Sequence, residues 1–325
     1  MLPIYMREMK GYFESLMGIG IIGAFVVVMM MLSVMLDPLG GGGDWFARGE
    51  LSMRTFFGVF PWVAAVVVPA VSMRLWADDR RQATFEMLMT LPIPTWKVAL
   101  GKYFAGVTFL AAMLAGTVAY PLMLSQFGQP DWAPVIGGYI ACFLLGAAFV
   151  AIGLFVSGLT ENQALAFFLG MLICLGIVGM GEMRGLLGEL ARTNPESALM
   201  LLISIPLVSI GFLAAAVGRD KAVGVAIGAL AVIGNMIAYA WSGAQDTASK
   251  ATNSEDIAAT VETATRGTTQ AGEIVVSALA QIAVLDHFSE IQRGVVNTNG
   301  LVFFAGLVVF FVLLNVWSLE SRRYS

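Results

Sequence analysis

The chain has 325 residues, 58% of them hydrophobic and 12% charged, against about 25% charged in a soluble globular domain, so this is the composition of a membrane protein. A net charge of −4 provides no basic surface to neutralise phosphates, which argues against nucleic-acid binding. One histidine and two distant cysteines, Cys142 and Cys174, exclude an ordinary zinc cluster; both cysteines fall inside apolar runs, as small buried hydrophobes do.

Residues 1–15 are short and mixed. Leu2, Ile4, Tyr5, Met9, Tyr12 and Phe13 recur at roughly helical spacing among Arg7, Glu8, Lys10 and Glu14. This predicts an amphipathic helix at the membrane interface. Residues 16–36 are the first long apolar run, which at about 1.5 Å per residue crosses a hydrocarbon core of about 30 Å. No short apolar region with a small-residue cleavage site is clear, so the run is read as an uncleaved span. Residues 37–55, with Pro38 and Gly40 to Gly43, read as a flexible outer loop. The second span, 56–73, contains Pro61 and Pro69, which neighbouring spans can accommodate.

Residues 74–102 form the longest charged segment between two apolar runs and hold Arg74, Arg80, Arg81, Lys97 and Lys102. Asp78 can reach Arg81 and Gln82 on a helix, and Trp76, Ala83 and Met87 can share one face. The helix should end before Pro92, with Pro92 and Pro94 forming a rigid elbow. Read from composition alone, this segment is equally a solvated helix resting on lipid headgroups.

The third span is 103–124, followed by a short loop, 125–134, and a fourth span, 135–156. The turn 157–162 leads into a fifth span ending near Gly181. Residues 182–197 are polar, and 198–217 and 222–241 are long enough for two more spans around a charged turn at 218–221. Residues 242–273 are rich in Ala, Thr, Ser and acids and read as extramembrane, with Ser254 able to cap a short helix. Residues 274–296 are amphipathic, with Val275, Leu279, Ile282, Leu285, Phe288 and Ile291 on one stripe. The eighth span is 301–319. More of the eighteen basic residues fall in the N-terminus, 74–102, 219–221 and the C-terminus than in the other connections. The positive-inside rule therefore puts both termini in the cytoplasm.

By these boundaries no span contains an ionisable side chain. That argues against an ion-coupled transporter, which needs such groups at membrane depth. His287 lies in the outer amphipathic segment and no nucleophile-elbow pattern is present, which argues against an intramembrane hydrolase. The chain also lacks a phosphate-binding loop: at Gly101-Lys102, Trp96 stands where the first glycine belongs and Tyr103 follows the lysine. The chain is not expected to be an enzyme, nor to bind a cofactor or metal, and any energy for transport must come from a partner. Asp286, His287 and Arg293 read as helix-end hydrogen-bonding groups, and Gly146, Ala147 and Gly153 as sites of close span packing.

From Pro69 to Lys102 the sequence resembles the permease subunit of ABC exporters of the second exporter class, in particular the gliding-motility-associated branch. The likeness lies in a proline-bounded span end, Met73-Arg-Leu75, paired acids and bases, Thr84-Phe-Glu86, Leu88-Met-Thr-Leu-Pro92, and Gly101-Lys102 entering the next span. Further similar stretches are Gly128-Gln-Pro-Asp-Trp132, Leu145-Gly-Ala-Ala-Phe149, Gly153-Leu-Phe155, Leu159-Thr160 with Asn162-Gln163, Asp286-His-Phe288, Arg293-Gly-Val295, and Ser318-Leu-Glu-Ser-Arg-Arg323. The resemblance covers about 1–181 and 274–325.

The resemblance implies an all-α, polytopic membrane bundle of six family spans; a two-span hairpin inserted in 182–273 brings the total to eight. The expected parts are a bundle at 1–181, the insertion at 182–273, and an outer helix, last span and tail at 274–325. It further implies a separate ABC ATPase subunit, a second permease subunit, a bacterial inner-membrane location, and a cytoplasmic coupling helix at about 78–90. On that reading Asp78, Asp79, Arg80, Arg81, Thr84 and Glu86 meet the ATPase, with Phe85 and Leu88 as apolar anchors. Ala83 stands where the family often has glycine. The alternative is a non-transporting scaffold that binds a cytoplasmic partner through 74–102.

Overall fold

The computed structural model describes residues 1–35, 53–81, 93–126, 131–193, 284–294 and 298–323, and these are helical with short turns. The chain divides into two units, Met1–Val178 with Val284–Ser325, and Gly179–Ala283. Of the second unit, only helical backbone up to residue 193 lies among the described residues. The expected spans at 198–217 and 222–241, the segment 242–273 and the loop 37–52 lie outside them.

The first unit contains α1 (Leu2–Phe13), α2 (Leu16–Met35), α3 (Arg54–Ser72), α4 (Arg74–Arg81), α5 (Thr95–Thr117), α6 (Ala119–Leu124), α7 (Trp132–Leu159), the start of α8 (Gln163–Thr193), α9 (Val284–Gln292) and α10 (Thr298–Arg323). Among the described residues four helical stretches are long and apolar enough to cross a membrane: Arg54–Arg81, Thr95–Leu124, Trp132–Leu159 and Thr298–Glu320. Leu2–Phe13 and Gly18–Ser33, bent by 65° at their join, meet the same measure only if the two are counted together as one broken span. The apolar part of α8, Gln163–Gly179, is shorter.

The apolar runs locate the helices, and the polar residues that bound them in the sequence lie a turn or more inside. The third span starts at Thr95 rather than Tyr103, because Pro94 sits at the N-cap with extended backbone and the helix begins directly after it. It breaks at Val118 into α5 and α6. The fourth starts at Trp132, where the Asp131 carboxylate accepts from the Ala133 N–H at 3.1 Å and caps α7.

α7 is the hub. It packs against α3, α4, α5, α9 and α10, and 78% of its most apolar window is buried, against 22% for the last span. α10 instead turns Val302, Val309, Phe310, Leu313 and Trp317 outward, as a helix bordered by lipid does. Close packing on α7 uses small residues: a Cβ on Gly153 would run into Ser72 Oγ. Gly146 is likewise packed against Leu110.

α1 lies across the bundle. Tyr12 stacks on Phe109 with ring centroids 4.8 Å apart, and its hydroxyl donates to Val71 O at 3.0 Å. At the opposite end of α7, α9 buries Val284, Phe288 and Ile291. Leu285, expected on that stripe, is half-buried, and Val284 takes the inward position one residue earlier. Val275, Leu279 and Ile282 lie outside the described residues. Gly294 ends the helix at φ +83, donating to Ile291 O at 3.0 Å. This left-handed conformation suits glycine, and a side chain there would press on Ala133 backbone atoms 3.2 Å away.

Candidate functional site

The polar chemistry of the described residues concentrates around α4. α3 ends at Ser72, whose hydroxyl turns back to Val68 O at 2.9 Å. Met73 keeps helical dihedrals, so the axis continues into α4, but the hydrogen-bond ladder changes hands. The first N–H groups of a helix have no partner within it. Those of Trp76 and Ala77 donate to Ser157 Oγ of α7, each at 3.1 Å. Ser157 in turn donates to Met73 O at 2.7 Å. One buried hydroxyl therefore uses both lone pairs and its hydrogen to stitch the junction to the hub helix.

α4 buries Leu75, Trp76, Ala77 and Asp79. Beneath it lies Lys102 of α5, with 1% of its surface exposed. Its Nζ is 2.6 Å from Asp79 Oδ2 and 2.8 Å from Glu8 Oε1 of α1, and it also donates to Leu75 O. An ammonium has three donors, and these three acceptors match them. The Trp76 ring lies 4.9 Å from the same nitrogen, adding a cation–π contact.

Arg7 closes the cluster from the surface. Its Nη2 is 2.7 Å from Glu8 Oε1 and 3.1 and 3.2 Å from the two oxygens of Asp79. Burial works against its charge, but its bonds to Glu8 and the charge of Asp79 outweigh this and hold its pKa above the ordinary value. Two cations and two carboxylates make the cluster formally neutral. Burying Lys102 and Asp79 is affordable only because each of these charges is paired and hydrogen-bonded.

The residues expected to face an ATPase fall into different settings. Asp78 accepts from Gln163 Nε2 of α8, rather than looking only along its own helix toward Arg81. Asp79 is buried and turned inward. Arg80 is half-buried and Arg81 exposed. Thr84, Phe85, Glu86 and Leu88 lie outside the described residues.

Lys102, expected just ahead of the third span, is part of its helix. It lies inside α5, on the stripe that buries Val98, Ala99, Ala105 and Gly106. The charge is tolerated there because α1 and α4 bring acceptors to it. Arg7, Glu8, Lys102, Ser157 and Gln163 were not singled out as site residues in the sequence. The signal that could have found Lys102 is its position on that apolar stripe.

Elsewhere, Asn315 of α10 is fully buried and donates to Leu154 O at 3.1 Å. The His287 ring lies 4.5 Å from that of Phe303. Cys142 and Cys174 are free and buried. Among the described residues no group of His, Cys, Asp or Glu could hold a metal ion.

The model of one protein family, described as ABC-2 family transporter protein, matches residues 49–217, a stretch that includes α3, α4 and α5. No curated protein and no solved structure matches the chain.

Proposed function

Because this chain belongs to the ABC-2 family of transporter proteins, we propose that it is the permease of an ATP-driven exporter, working with a separate ATPase subunit and a second permease subunit in a bacterial inner membrane. Membership makes it a multi-pass membrane protein and a permease of an ABC transporter. The finer reading rests on one observation: α4, a short charged helix at one end of the bundle, is bonded to four other helices at once. Side chains of α1, α5, α7 and α8 all reach it.

On this reading α4 and the residues after it form the cytoplasmic coupling segment. Arg81 lies on its exposed side and Arg80 beside it, and these two, with Thr84, Phe85, Glu86 and Leu88, meet the ATPase. Asp78 and Asp79 hold α4 to the bundle. ATP binding draws the ATPase subunits together, their movement displaces the coupling segments, and the spans reorient. The sequence resemblance favours the gliding-motility-associated branch, and the distribution of basic residues favours a cytoplasmic side for both termini.

The test is purification of the tagged chain from its native membrane in nanodiscs, with mass spectrometry of what accompanies it. A stoichiometric subunit with a phosphate-binding loop is expected. It should be lost when Arg80 and Arg81 are reversed to glutamate and Glu86→Ala is added. A non-ATPase partner in its place would overturn the permease reading in favour of a scaffold.

A further inference from the structure

We propose that movement of α4 is passed sideways into α1, α5 and α7 through Lys102, Glu8 and Ser157, rather than along its own axis into α3. Lys102 is then the positioning residue of the coupling segment. This rests on the permease reading and names the side chains by which it would operate.

A helix is stiff along its axis because each N–H is bonded to the carbonyl four residues back. At the α3–α4 junction that ladder is interrupted. The donors of Trp76 and Ala77 and the acceptor of Met73 are all taken by Ser157 Oγ. A load on α4 therefore meets α7 directly at Ser157, one residue from Gly158 and three from Leu154, the carbonyl that α10 holds through Asn315.

The second route is ionic. Lys102 Nζ bonds Asp79 and the Leu75 carbonyl of α4 and, from the same atom, Glu8 of α1. Arg7 spans the same two helices from the outside, bridging Glu8 and Asp79. The Lys102 side chain is almost fully buried, so solvent does little to screen these pairs. α1 has no chain connection to α4 nearer than α2 and α3; the ion cluster bonds it to α4 directly, through Arg7 to Asp79 and through Glu8 to Lys102.

The experiment uses the complex purified with its ATPase and held in nanodiscs. Spin labels are attached at Lys10→Cys on α1 and Ile136→Cys on the far end of α7, both exposed positions; the native cysteines are buried and stay unlabelled. In the otherwise unaltered chain, ATP shifts the distance between the labels. Lys102→Met reduces the shifted population about tenfold, the size of an ordinary coupling free energy between sites, while ATP is still bound and hydrolysed. Lys102→Arg, which keeps the cation, restores the shift; a purely structural lysine would give no such separation of hydrolysis from movement.

If Lys102→Met fails to assemble, Ser157→Ala decides, because it removes one oxygen and no charge; it too should diminish the shift. An ATP-driven shift of normal size in Lys102→Met, or in Ser157→Ala where the first does not assemble, overturns the proposal. Absence of an ATPase from the unsubstituted chain is a different result: it removes the permease reading, and this inference with it.

Discussion

At the scale of single residues, the Arg7–Glu8–Asp79–Lys102 cluster separates charges that matter to stability from charges that decorate it. Arg7 keeps 49% of its side chain in solvent, and such a pair is worth about 1 kcal/mol or less. Lys102 is buried, and removing one partner of a buried pair costs about 3–5 kcal/mol, because the carboxylates left behind are not rehydrated. Lys102→Met should therefore lower the thermal unfolding midpoint in nanodiscs far more than Arg7→Ala. Equal shifts would mean that water reaches Lys102. Adding Asp79→Asn to Lys102→Met should recover part of the loss by removing one stranded charge. A second residue-scale expectation concerns Gly153, where a methyl group would collide with Ser72 Oγ. Gly153→Ala should cost about 1–3 kcal/mol by overpacking, read from the same unfolding measurement.

At the scale of elements, the α3–α4 junction carries a prediction of its own. Removing the Ser157 hydroxyl leaves two buried N–H groups and one carbonyl without their partner, at about 1–3 kcal/mol for each group that stays unsatisfied. Hydrogen exchange at the Trp76 and Ala77 amides should accelerate in Ser157→Ala, while amides in the middle of α7 keep their protection. Unchanged exchange at those two positions would mean that the backbone ladder closes across Met73 without help. The elements themselves were largely legible in the sequence. Apolar runs at 135–156 and 301–319 sit within helices that begin and end a few residues further out, and the run at 56–73 lies within the helical stretch Arg54–Arg81. The helix at the start was legible from its spacing. The partners of α4 were not. Glu8 and Lys102 are separated by the first two apolar runs, and Ser157 lay in what read as a turn. Periodicity reports which face of a helix is buried; it says nothing of which distant charge will meet it there. The reading of Asp79 as a surface contact shows the same limit, since a charged residue in a charged segment gives no sign that it points inward.

At the scale of the molecule, the exposed tryptophans mark the two ends of the bundle. Trp96 and Trp317 lie at the α4 end, and Trp132 starts α7 at the other; all three are exposed, as rings at a headgroup boundary are. α7 has 28 residues, enough to cross with turns to spare at about 1.5 Å per residue. A membrane-impermeant maleimide should therefore reach Asp131→Cys and Glu161→Cys from opposite sides, with Glu161→Cys labelled from the cytoplasm. Labelling of both from one side would mean that α7 does not cross. The uneven burial of α7 and α10 also sets an order of assembly during synthesis. α7 is complete while the whole of 160–297 has still to leave the ribosome, and only then is α10 made. Until that moment the Leu154 carbonyl waits for the Asn315 amide.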